Sequence, residues 1–157
     1  MSTDIPTTFA GLPIEGEVSY YQEPRDRPQK TAEEFKAALD RLFATAGVKA
    51  VVWTQYTPYF NDGEPCVFGM NLEGVVLDPA PDGVTSYNTV PVGDGELPVF
   101  DVYDLDREAG LAALVGLLRE LGGDLVSYED VSLNAFGDPA RVVARPDRFE
   151  VHDYSHD

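Results

Sequence analysis

The 157-residue chain carries 28 acidic residues against 11 basic ones, a net charge of −17, and 43% of its residues are hydrophobic. That length and apolar content fit one globular domain with a substantial core and exclude a disordered chain. The charge repels phosphate backbones and disfavours direct nucleic-acid binding, while the single cysteine, Cys66, excludes an intrachain disulfide and a multi-cysteine zinc site. No apolar run is long enough to span a bilayer, so no membrane association is expected. The N-terminus lacks the basic and apolar regions of a secretory signal, which makes the cytoplasm the expected location.

Residues 1–12 mix Ser, Thr, Pro and Gly without periodicity, and read as a flexible N-terminus ahead of one globular domain over residues 13–157. Alternation of Ile14, Gly16, Val18 and Tyr20 with Glu15, Glu17, Ser19 and Tyr21 predicts a half-buried strand. A polar loop over 23–30 leads to Thr31, which stands three before Glu34 in capping-box spacing. Phe35, Ala38, Leu39, Leu42, Phe43 and Ala46 then make one apolar helical stripe, stopped by Gly47.

Residues 50–57 and 66–72 predict a hairpin around a turn at Asn61-Asp62-Gly63, with Pro65 marking the start of its second strand. Val51 and Trp53 share one face and Val52, Thr54 and Tyr56 the other. In the partner strand Cys66, Phe68, Met70 and Leu72 share a face, expected to floor the core against the first helix. Gly74 marks a bend before residues 75–77 extend the sheet. The Pro- and Gly-rich stretch 78–98 is either a functional flap or conceals a short strand near 84–90.

Residues 99–103 predict a strand. A second helix is expected from Asp104 or Asp106, with Leu111, Leu114, Val115, Leu118 and Leu121 buried and Gly122-Gly123 ending it. Ser127 stands three before Asp130, a cap-like spacing for a short helix over 128–136 closed by Gly137. Residues 140–144 and 149–154 flank Arg145-Pro146-Asp147-Arg148 and predict a closing hairpin. The order predicts an α+β fold. Its antiparallel or mixed sheet is built from two hairpins plus additional strands, with two main helices and one short helix on one face.

The segment Trp53-Thr54-Gln55-Tyr56-Thr57-Pro58-Tyr59-Phe60-Asn61-Asp62-Gly63-Glu64-Pro65-Cys66, followed by Phe68, resembles one in uncharacterised proteins of bacteriophages and some bacteria. Phe136-Gly137-Asp138 and the closing run Phe149-Glu150-Val151-His152-Asp153-Tyr154-Ser155-His156-Asp157 are similar too. The resemblance implies a phage or prophage source, and it carries no activity or catalytic residue.

Candidate chemistry is sparse. Cys66 with His152 invites a nucleophile reading, but Cys66 on the face of Phe68 and Met70 is better read as a small core residue. His152, Asp153, His156 and Asp157 suit a transition metal, yet neighbours on a strand face opposite ways, and a solvated acidic end is the plainer reading. Neither Asn61-Asp62-Gly63-Glu64 nor Asp101, Asp104, Asp106 and Glu108 has EF-hand spacing. Gly93-Asp94-Gly95 lies among acids and opens no amphipathic helix, so it is no phosphate loop. No catalytic residue, metal site or cofactor is assigned.

What remains is the aromatic and acidic turn. Tyr56, Tyr59, Phe60, Asn61, Asp62 and Glu64 are the candidate interaction residues, since aromatic side chains dominate binding hot spots. The expectation is a non-enzymatic acidic interaction protein, phage-encoded and acting in the host cytoplasm, which binds a host or phage protein. Its sharpest form is a DNA mimic in an anti-defence role. The alternative is a small ligand-binding protein or hydrolase. Its pocket would lie between the central hairpin and the C-terminal strands, roofed by residues 78–98, and use Tyr56, Asp62, Glu64 or His152. A minor virion component is a third reading, and the oligomeric state stays open.

Overall fold

The structure, a computed structural model, describes residues 8–16, 29–45, 47–57, 68–78, 80–81, 86, 88–92, 95–105 and 111–154. The fold is α+β: a six-stranded mixed sheet, a two-stranded ribbon, and helices. β1 (Thr8–Phe9) and β2 (Leu12–Gly16) make a tight hairpin whose turn places Ala10 at φ 50° and Gly11 at φ 87°. Residues 8–12, expected to be flexible, are therefore part of the fold. Phe9 is 3% exposed, and its ring lies 5.7 Å from Phe35 and 5.1 Å from Phe136 and Phe149. A lone Phe among Ser, Thr and Pro has no period to announce it, and only its distant partners make it a core residue.

α1 (Ala32–Phe43) begins as predicted: Glu34 N donates to Thr31 Oγ1 at 3.1 Å, and Thr31 N donates to Glu34 Oε1 at 3.4 Å. Its buried stripe is Phe35, Ala38, Leu39 and Leu42. The helix ends at Phe43, earlier than expected. Gly47, at φ 91°, turns the chain into β3 (Val48–Tyr56) and accepts a hydrogen bond from Asp78 N.

β3 pairs antiparallel with β4 (Gly69–Leu77), as the predicted hairpin requires. It also pairs antiparallel with β7 (Ala140–Ala144), which pairs with β8 (Phe149–His152), the predicted closing hairpin. β8 in turn lies parallel to β2, giving the order β1-β2-β8-β7-β3-β4. Near Gly74 the β3–β4 register shifts, and Gly74 adopts φ 148°. A Cβ there would stand 2.0 Å from Phe100 O, so the glycine lets Phe100 pair with Val75.

Both faces of the central strands are covered. On one face Val51, Trp53, Val142 and Phe149 join the helices in the main core. On the other, Ala50, Val52, Val76 and Val143 pack under Val90 and Val99 of the ribbon. That ribbon, β5 (Asn88–Val92) and β6 (Gly95–Val99), is what residues 78–98 conceal. Double burial explains why β3 reads as a nearly continuous apolar run rather than an alternating one.

Three predicted boundaries move. Residues 99–103 are not a strand: Val99 ends β6, and α2 (Val102–Leu105) starts directly. Its cap is Asp101, whose Oδ1 accepts from Asp104 N at 2.8 Å while Asp104 Oδ2 accepts from Asp101 N at 3.1 Å. α3 (Ala112–Asp124) contains Gly122-Gly123 and runs into a 3-10 turn, Leu125–Tyr128. Burial of Leu121, Leu125 and Tyr128 on one stripe outweighs the glycine cost of about 1 kcal/mol each. α4 (Glu129–Phe136) is present as predicted, but Ser127 is not its cap. Gln29 is, accepting from Asp130 N at 2.9 Å and donating to Val126 O at 3.0 Å. A cap supplied from a hundred residues away leaves no local signal.

Candidate functional site

Of the six predicted interaction residues, the structure describes Tyr56. It is half-buried at the end of β3, its ring 5.5 Å from that of Tyr154 and tilted by 44°. Tyr59, Phe60, Asn61, Asp62 and Glu64 lie outside the described residues, as do Cys66, His156 and Asp157. Just past β3, the amide and hydroxyl of Thr57 donate to the two carboxylate oxygens of Asp138 at 3.1 and 2.6 Å. Behind it lies a buried polar network. Gln55, fully buried, accepts from the Trp53 indole N–H at 2.9 Å and from the Ser132 hydroxyl. Its amide donates to Ser132 O at 3.0 Å and Gly137 O at 2.7 Å. These bonds tie β3 to α4, and Trp53 packs between Phe35 and Phe136. The tryptophan and glutamine of the segment are structural.

The C-terminal hairpin does not face the central hairpin across a pocket. It continues the same sheet edge to edge, so the pocket expected between them is absent among the described residues. Its charged side chains form an ion-pair cluster. Arg145 Nε lies 2.9 Å from Glu150 Oε2, Arg148 Nη2 2.8 Å from the same oxygen, and His152 Nε2 3.3 Å from Glu150 Oε1. Arg148 also reaches Glu15 at 3.1 Å, joining β8 to β2. Burial pushes the Glu150 carboxyl up, but hydrogen bonds from Arg145, His152 and Arg148 outweigh it and hold the group below the ordinary carboxylate range. His152 is thus engaged with Glu150 and is not beside a nucleophile among the described residues. No group of three or more His, Cys, Asp or Glu fit for a metal occurs among the described residues. Asp101 and Asp104 are committed to capping each other's backbone amides.

A concavity lies elsewhere, along the outer edge of β4. A groove of about 610 Å³ runs between Met70, Asn71, Leu72 and Glu73 on one side and the helices on the other. α2 contributes Val102 and Tyr103, with Asp101 at its start, and α3 contributes Leu118, Arg119 and Gly122. The chain itself creates this opening. Phe100 exchanges two hydrogen bonds with Val75, of 3.0 and 2.8 Å, and then the Asp101 cap turns the backbone away from the sheet. Met70 and Leu72 are half-buried at the margin of the main core, beside α3, whereas α1 covers β3 through Phe35 and Trp53. For Met70 and Leu72 the expected floor under the first helix is therefore corrected: they lie beside α3, the second main helix. Tyr103 stands at the rim, 80% exposed. Sequence reading missed the groove because its walls come from four separate segments. The one trace was the glycine pair interrupting an otherwise apolar helix.

No family model, curated protein or solved structure matches this chain.

Proposed function

We propose that this chain is a non-enzymatic acidic interaction protein, phage-encoded, which binds a host or phage protein. Its sharpest form is occupation of a DNA-binding surface by charge mimicry in the host cytoplasm. The observation that supports this reading is how the few cations are spent. Lys36 pairs with Asp40 at 2.8 Å, Arg41 with Glu120 at 3.4 Å, and Arg141 with Glu73 at 2.7 Å. Arg145 and Arg148 are held by Glu150, and Arg148 also by Glu15 and Asp147. Five of the eleven basic residues are engaged in this way, so the chain, at a net charge of −17, presents far more carboxylates than cations. Such a field steers basic surfaces toward it and weakens with salt. The aromatic and acidic residues 59–64, which follow Tyr56 and Thr57 in the chain, would supply the specific contacts.

The test is affinity purification with the whole chain as bait, at low and high ionic strength, read by mass spectrometry. The expected result is a protein with a basic surface, retained at low salt, lost as salt rises, and displaced by competing duplex DNA. A partner that DNA does not displace rules out mimicry, and no partner above background at low salt overturns the interaction reading. The alternative, a ligand-binding protein or hydrolase, has the volume of the β4 groove in its favour. The groove's carboxylates, however, are engaged: Glu73 with Arg141, and Asp101 with the start of α2. They are poorly placed to serve as acid or base.

A further inference from the structure

We propose that the groove beside β4 receives an extended segment of a basic partner protein, added to the sheet as a further strand along residues 70–73. This rests on the interaction reading above and names its mode and place.

Sheet edges carry unpaired N–H and C=O groups and are templates for strand addition, so folded proteins blunt them with short strands, lysine, proline or a covering element. The two ends of the main sheet differ in this respect. β1, at one end, is a two-residue strand. β4, at the other, spans nine residues, and its segment Gly69-Met70-Asn71-Leu72-Glu73 contains neither lysine nor proline. Among the described residues, the isolated bridge from Val75 to Phe100 is the only pairing along its outer edge. The strand order could have been extended by residues 101–103 running on beside β4. Instead Asp101 caps α2 where the groove begins, and no described residue pairs with the outer edge of residues 70–73.

The two sides of the groove suit an alternating guest. Met70 and Leu72 point to the helix side, where Leu118 and Gly122 complete an apolar wall. Asn71, one residue out of phase, is exposed on the opposite side, near Asn88 and Asp101. An extended segment entering here meets apolar surface with every second residue and polar surface with the residues between. Main-chain bonds to the edge would give affinity, and the alternate side chains would give specificity. Among the described lining residues Arg119 stands with Asp101 and with Glu73, itself paired with Arg141, so the charge that selects a guest is that of the chain as a whole, −17. Charge complementarity therefore favours lysine or arginine at the outward positions. A second copy of this chain would bring the same negative charge and is the disfavoured occupant. Tyr103, 80% exposed at the rim, is placed to close over the guest as an aromatic anchor.

Gly122 provides a test that leaves the fold intact. It is an exposed helical residue whose added Cβ would make only ordinary contact, 3.8 Å, with Leu72 Cδ2. Gly122→Leu fills the groove while improving helix propensity. The probes are two synthetic peptides of equal length, one alternating valine with lysine and one alternating valine with glutamate. Each is titrated into the isotopically labelled whole chain, with affinity and amide exchange as readouts. The expected result is binding of the lysine peptide with slowed exchange at residues 70–73, and no binding of the glutamate peptide. Gly122→Leu should weaken binding at least tenfold without lowering the unfolding midpoint, and Tyr103→Ala should weaken it less. The proposal is overturned if the lysine peptide does not bind, if it binds without protecting residues 70–73, or if Gly122→Leu leaves affinity unchanged. Self-association with protection of the same residues in the absence of peptide also overturns it, by making a second copy the occupant. A partner captured equally by wild type and Gly122→Leu removes the groove and leaves the interaction reading standing.

Discussion

Arg145, Arg148 and His152 converge on Glu150, so a single carboxylate organises the charged side of the C-terminal hairpin. The hydrogen bonds from Arg145, His152 and Arg148 overcome the cost of burying it and depress its proton affinity in the folded chain. A folded-state value below the unfolded one means that the stabilising contribution is complete above the ordinary carboxylate range, near pH 4.3, and is lost as pH falls through the folded value. Denaturant titrations at a series of pH values below about 5 should therefore show stability declining, with a shallower decline in Glu150→Gln. Parallel curves for the two proteins would assign the acid limb to other groups. Gln55 shows the opposite use of polarity. It has no charge to titrate and no exposure, and its bonds to Trp53, Ser132 and Gly137 fix how α4 sits on β3. Neither role is visible from residue type. A glutamine in a strand and a glutamate near a terminus are ordinary surface residues until their neighbours are known.

At the scale of elements, Gly74 governs how β4 meets the rest of the chain. It combines φ 148° with a backbone oxygen, Phe100 O, standing where a Cβ would be. Gly74→Ala should cost more than about 2 kcal/mol, because strain in φ and a backbone clash add. It should also part Phe100 from β4, so amide exchange at Val75 and Phe100, which bond each other's carbonyls, should accelerate ahead of exchange at Trp53. Uniform acceleration across β3 would show instead that the bridge has no separate stability. The helices illustrate what local pattern conveys. α1 and α3 follow from apolar residues three and four apart, the α1 capping box from Thr31 and Glu34, and α4 is expected from the Ser127–Asp130 spacing and Gly137. Where a cap comes from elsewhere, as Gln29 caps α4, spacing points to the wrong residue.

For the whole molecule the dominant quantity is charge. A net −17 repels itself in the folded state more than in the expanded unfolded chain, and salt screens that repulsion. Raising salt from about 0.01 to 0.15 M shortens the Debye length from roughly 30 to 8 Å, so the thermal midpoint should rise over this interval. A falling midpoint would mean that the ion pairs around Glu150 and Arg141 outweigh the overall repulsion. The same long-range field is what the proposed partner would sense first.

Composition, helical stripes and the two hairpins are local properties, and the sequence by itself determined them: an α+β chain, its helices on one face, with a closing hairpin expected at residues 140–144 and 149–154, whose second strand ends at His152. Tertiary structure alone decided three things. It laid β2 parallel to β8, it set the β5–β6 ribbon across the second face of the sheet, and it turned the chain away from β4 at Asp101. Each depends on segments far apart in sequence, and pairing energy between distant strands leaves no periodic trace in either one. The turn over 59–64 remains a candidate defined by its residue types. The groove was found because an edge, a helix cap and a glycine came together in space.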